Sequence, residues 1–157
     1  MLAEPQLLVA LVLAHLLADF YFQPFTWVQQ RNERHALALP LYLHAIIHGI
    51  LAAAAMFLFS STISIASIGV GAIVVAVSHF KIDVIKSYCK QNTTSFVVDQ
   101  IAHIVVILGV FLYATNQWRE AVGLLQKVGT THLLVVLAYL AVLKPSSVII
   151  KQLLSPW

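Results

Sequence analysis

The sequence predicts an all-α fold: a polytopic membrane helical bundle of about five transmembrane helices, two parallel-repeat hairpins plus a C-terminal helix. Three observations carry this. Of 157 residues, 61% are hydrophobic and 10% charged, with a mean hydropathy of +0.91; a soluble domain carries about 25% charged residues. Apolar stretches of membrane-spanning length recur along the chain. Four of them each hold one polar pair at spacing i, i+4: His15 and Asp19, His44 and His48, His79 and Asp83, Asp99 and His103. On a helix that spacing sets both side chains on one face, one turn apart.

Each element follows in order within a single integral membrane domain, 1–157. The first helix is expected over 5–23, with Pro5 suited to a first helical turn and Pro24 ending the apolar pattern. It carries His15 and Asp19 and is preceded by Glu4 rather than by basic residues, so it reads as a mature helix and not a signal peptide. A polar connection, Phe25 to His35, follows; Trp27 in it suits the membrane interface. Further helices are expected over 37–59, 65–86 and 96–113. The stretch 116–130 places Trp118, Val122 and Leu125 on one face and reads either as a short interfacial helix or as a surface loop. A last helix is expected over 131–154, interrupted at Lys144 and Pro145.

Lys and Arg fall unevenly on alternate sides: Arg31, Arg34, Lys81, Lys86, Lys90, Lys144 and Lys151 against Arg119 and Lys127. Positive charge marks the cytoplasmic loops. The expected setting is therefore a bacterial cytoplasmic (inner) membrane, N-terminus outside and C-terminus inside. All four polar pairs then lie at the cytoplasmic end, at similar depth. The two halves of this array repeat in order, and both run the same way, which suits a parallel repeat. The basic residues form no stripe, so nucleic acid is not an expected partner. Cys89 is the only cysteine, which excludes an intrachain disulfide.

A charged residue in mid-membrane costs about 2.5–3.5 kcal/mol on insertion scales. Three aspartates on neighbouring helices must therefore be neutralised. His15, Asp19, His44, His48, His79, Asp83, Asp99 and His103 have the donor types that bind a divalent transition metal, Zn, Mn or Fe, as one or two ions. Gln23, Lys86 and Gln100 are candidates for outer donors that orient those ligands. A metal-free network, with Lys81 or Lys86 supplying positive charge, is the alternative. His35 and His132 have no partner in this pattern.

The runs His-Leu-Leu-Ala-Asp-Phe-Tyr-Phe-Gln at 15–23, His-Phe-Lys-Ile-Asp-Val-Ile-Lys at 79–86 and Asp-Gln-Ile-Ala-His at 99–103 resemble the DUF3307 family of small bacterial and phage membrane proteins. The resemblance runs from about Leu8 to Leu112. That family also looks distantly similar to inner-membrane proteins of the YdjM type, described as membrane-bound metal-dependent hydrolases, which implies a hydrolase without naming a substrate.

Three functions suit these residues. The first is a metal-dependent hydrolase acting on a lipid-like or amphiphilic ester or phosphoester. An ion with an open coordination position makes water nucleophilic near neutral pH, and an uncommitted aspartate among Asp19, Asp83 and Asp99 is the candidate general base. The second is a carrier for a metal ion or proton, though polar residues do not continue toward the outer side beyond Ser64, Ser67 and Thr115. The third is a non-catalytic membrane component whose polar layer staples the bundle, with a cytoplasmic protein or a second copy as partner.

Overall fold

The computed structural model describes residues 4–90 and 92–125; the expected helix over 131–154 lies outside them. Among the described residues there are six α-helices: α1 Pro5–Phe20, α2 Phe25–Arg34, α3 Leu39–Phe59, α4 Ile65–Ser87, α5 Thr93–Thr115 and α6 Trp118–Leu125, with a 3-10 turn over His35–Leu37 between α2 and α3. Three helices, α3, α4 and α5, are long and apolar enough to cross a membrane. A fourth candidate span is a broken one: Pro5–Phe20 and Phe25–Leu37 are bent by 80° relative to each other.

Helix ends follow local chemistry. Ser64 and Asn92 cap α4 and α5 by accepting hydrogen bonds from the Ser67 and Ser95 backbone N–H groups, at 3.1 and 2.8 Å, satisfying donors that have no partner within the helix. Pro5 and Pro40 occupy first-turn positions where a missing N–H costs nothing. α1 stops at Phe20, short of the expected Gln23. Gln23 precedes Pro24, and a residue before proline is driven out of the helical region. Pro24, with extended backbone, starts α2 by accepting from the Trp27 and Val28 N–H groups.

The expected polar connection is therefore itself mostly helical. On α2, Trp27 and Val28 are half-buried and Arg31 is buried, while Gln29, Glu33 and Arg34 face outward.

Helices α1, α3, α4 and α5 pack in a closed ring, each touching the next. Its buried apolar core includes Leu7 and Leu11 of α1, Met56 of α3, Val75 of α4, and Ile107 and Phe111 of α5. These come from the start of α1 and the ends of α3 and α5. The polar pairs come from the opposite half of the same helices. Outward faces carry large apolar side chains such as Ile50 and Phe57 on α3, Ile73 and Val77 on α4, and Ile101 and Val105 on α5. Such a surface suits lipid.

Small residues let α3 and α4 approach closely. A Cβ built on Gly49 would meet the Ala72 carbonyl oxygen and the Ala76 Cβ at 3.0 Å each. Small residues at such a crossing are a common device in membrane helices. Gly49 follows His48 directly, so this contact also sets how near His48 comes to α4. α6, an eight-residue helix, falls in the stretch expected to be either helix or loop.

Candidate functional site

Seven of the eight paired residues are buried, and Asp19 is half-buried. The helical period turns each pair inward, and the ring brings all four together. Asp19 sits at the centre. Its Oδ1 accepts from Nε2 of His44 (3.2 Å) and of His48 (3.0 Å), and its Oδ2 accepts from the Gln100 amide (3.0 Å). His44 Nε2 and His48 Nε2 are themselves 3.2 Å apart. His79 Nε2 lies 3.7 Å from Asp19 Oδ1, and His15 Nε2 lies 3.6 Å from Asp19 Oδ2. The His48, His79 and His103 rings form a stacked column, with centroids 3.5 and 4.1 Å apart.

The other two carboxylates each have a cation. Arg31 Nη1 donates to Asp83 Oδ1 at 2.9 Å, both side chains being almost fully buried. Lys86 Nζ pairs with Asp99 Oδ2, which also accepts from Gln100 Nε2 at 3.3 Å. Gln100 thus bridges Asp19 and Asp99.

Six ligand-type atoms in this layer are buried without a well-formed hydrogen bond: Nε2 of His15, His79 and His103, Nδ1 of His44, Oδ2 of Asp83 and Oδ1 of Asp99. Each unsatisfied buried polar atom costs about 1–3 kcal/mol. An ion removes that cost, and the spacing fits one. Three residue groups have ligand atoms within 4.8 Å of one another: His15, Asp19, His48 and His79; His44, His79 and Asp83; Asp83, Asp99 and His103. Ligands held tetrahedrally at about 2.0 Å are about 3.3 Å apart. The triangle of Asp19 Oδ1, His44 Nε2 and His48 Nε2 has edges of 3.0, 3.2 and 3.2 Å. The residues present fit a divalent ion there.

Of the expected outer donors, Gln100 bonds Asp19 and Lys86 pairs with Asp99. Gln23 lies past the end of α1 and lines a cleft beside Asp19 instead of bonding a ligand residue. Lys81 is exposed and does not supply the second cation. That part falls to Arg31, which lies in the stretch expected to be a polar connection. The signal in the sequence is three intramembrane carboxylates against two lysines placed to reach them, Lys81 and Lys86. His35, outside the layer, holds α2 to the end of α4: its Nδ1 is 2.9 Å from Ser87 Oγ and its ring stacks on Tyr88 at 3.9 Å.

No curated protein and no solved structure matches the chain. A family model described as protein of unknown function, DUF3307, matches residues 7–128. That span contains all four polar pairs and every described helix, apart from the first two residues of α1. On this match, the chain belongs to the DUF3307 family.

Proposed function

We propose that this protein is a metal-dependent hydrolase of the bacterial cytoplasmic membrane, with its His/Asp layer at the cytoplasmic end of the bundle and an amphiphilic ester or phosphoester as substrate. The observation that carries it is the convergence of buried His and Asp ligand atoms on one layer, with Asp19 Oδ1, His44 Nε2 and His48 Nε2 within 3.2 Å of one another and His79 Nε2, which has no hydrogen bond, 3.7 Å from Asp19 Oδ1. Asp19, His44, His48 and His79 hold the ion. A divalent ion there supplies Lewis acidity and lowers the pKa of water. One ion is favoured over two, because Asp83 and Asp99 of the second cluster already face Arg31 and Lys86. Gln100, bonded to both Asp19 and Asp99, fixes the two carboxylates relative to each other. Asp99 Oδ1, buried and without a hydrogen bond, is the proton acceptor. The apolar core beyond the layer counts against a carrier: Leu7, Leu11, Met56, Ile107 and Phe111 separate the His/Asp layer from Gln117, the next buried polar residue among those described.

Elemental analysis of protein purified without chelator tests this reading. The expected result is about one transition-metal ion per chain, and less than about a tenth of an equivalent overturns it. With metal established, Asp99→Asn should keep the ion and abolish hydrolysis of phosphoester substrates. Undiminished turnover removes Asp99 from the chemistry.

A second reading has its own support. The pairs Arg31–Asp83 and Lys86–Asp99, with three hydrogen bonds on Asp19, also suit a metal-free staple in a non-catalytic membrane component. Buried ion pairs are poor sources of stability but hold register.

A further inference from the structure

Two cavities meet at Lys86 and Asn92. One is a cleft of about 460 Å³ with Asp19 and Gln100 in its lining, which also includes Arg31, Lys86 and Gln23. The other, about 420 Å³, is lined by the end of α4 and the start of α5. Ile82, Ile85, Val98 and Ala102 give it apolar walls, and Lys86 and Lys90 are its cations. The polar cleft thus reaches the His/Asp layer through Asp19, and the apolar groove adjoins it on the outward face of α4 and α5, where Ile85 and Val98 are exposed.

Charge specifies what the cleft takes. Three carboxylates in the layer face the cations Arg31 and Lys86. With metal-ligating histidines neutral, one divalent ion leaves the site with one positive charge. A guanidinium has five N–H donors. The bonds from Arg31 to Asp83 and Asn32 take two, so donors remain in the planar fork that suits phosphate oxygens. A zwitterionic headgroup would bring a further cation toward Arg31 and Lys86.

We propose that the two cavities form one binding site for a phospholipid with a singly charged phosphodiester headgroup, its phosphate in the cleft beside Arg31 and Lys86 and an acyl chain in the groove between α4 and α5. The charge balance rests on the metal-ion reading above; the placement of Arg31, Lys86 and the groove does not.

The full chain in detergent, titrated with phosphatidylglycerol or with phosphatidylcholine and read by native mass spectrometry, tests this. Wild type should retain phosphatidylglycerol about tenfold more tightly, a difference that one additional ion pair supplies. Inorganic phosphate at millimolar concentration should not displace it, because it lacks the chain that fills the groove. Arg31→Gln should weaken binding but also strips Asp83 of its cation. The decisive variant is therefore Asn92→Asp. Asn92 is exposed and caps α5, and Asp caps as well as Asn does. The substitution adds a negative charge where the cavities meet and should lower the phosphatidylglycerol preference several-fold, with melting temperature and metal content unchanged. Equal retention of the two lipids, indifference to Asn92→Asp, or displacement by inorganic phosphate overturns the proposal. Metal content is read on the same samples. Lipid selectivity without metal sinks the hydrolase reading and leaves the lipid site. Metal without selectivity does the reverse.

Discussion

Asp19 is where the two readings of the polar layer differ in sign. Its Oδ1 lies within 3.2 Å of two imidazole nitrogens and within 3.7 Å of a third. Around an ion, that carboxylate is a ligand, and its binding free energy is part of the folding free energy. Asp19→Asn should then lower metal affinity at least tenfold, since even outer partners of ligands are worth about that. Melting temperature should fall with it, and chelator should lower the wild-type melting temperature by several degrees. In a metal-free staple, chelator does nothing; Asp19 is the carboxylate without a cation, so Asp19→Asn should relieve repulsion and raise the melting temperature, whereas Asn at 83 or 99 strands Arg31 or Lys86 and should lower it. Melting curves for the three Asn variants, with and without chelator, decide between them. A chelator-indifferent wild type together with an Asp19→Asn variant that melts higher excludes the metal. The four i, i+4 pairs were legible in the sequence because helical period alone aligns them. Arg31 was not, because nothing local ties it to Asp83, which is 52 residues away. Only the surplus of carboxylates hinted at a missing cation.

Among the helices, the crossing of α3 and α4 sets the geometry of the site. His48 and His79 stack at 3.5 Å because Gly49, the next residue on α3, lets the Ala72 carbonyl and the Ala76 methyl approach. Gly49→Leu inserts a side chain where even a Cβ is tight, an overpacking that costs about 1–3 kcal/mol. It should also separate His48 from His79, so metal content should fall with stability. Gly69→Leu on α4 is the control: nothing lies within 4 Å of its Cβ position, and the helix gains propensity. If both variants keep full metal content and melt like wild type, the close crossing does not position the ligands. Apolar runs made the extents of α3, α4 and α5 legible to within a few residues, while α5 begins at Thr93 rather than 96 because Asn92 caps it three residues before the apolar run. The break after Phe20 was harder to read, because Tyr21 and Phe22 continue the apolar pattern while Pro24 stops the backbone. α2 was missed as a helix because ten mostly polar residues lack the signal of a span, although Trp27, Val28 and Arg31 share one face.

In the bundle as a whole, the ring of α1, α3, α4 and α5 has two unlike halves. One half is closed by Leu7, Met56 and Phe111; the other carries the His/Asp layer, with Arg31, Lys86 and Lys90 around it. Positive charge is retained on the cytoplasmic side, so the layer and its cleft should face the cytoplasm, where a headgroup of the inner leaflet can reach them. The protein carries its own probe. Cys89, its only cysteine, is exposed just after α4, at the polar-layer end. A membrane-impermeant maleimide should leave it unlabelled in intact cells and label it once the membrane is permeabilised. Ser61, exposed in the turn between α3 and α4 at the opposite end, supplies the complement. Ser61→Cys, in a Cys89→Ser background, should label in intact cells. Labelling of Cys89 from outside, with protection of position 61, would invert the topology. It would move the site, and any lipid it takes, to the outer leaflet, while leaving the His/Asp layer as it stands, because its side chains are set by packing within the ring.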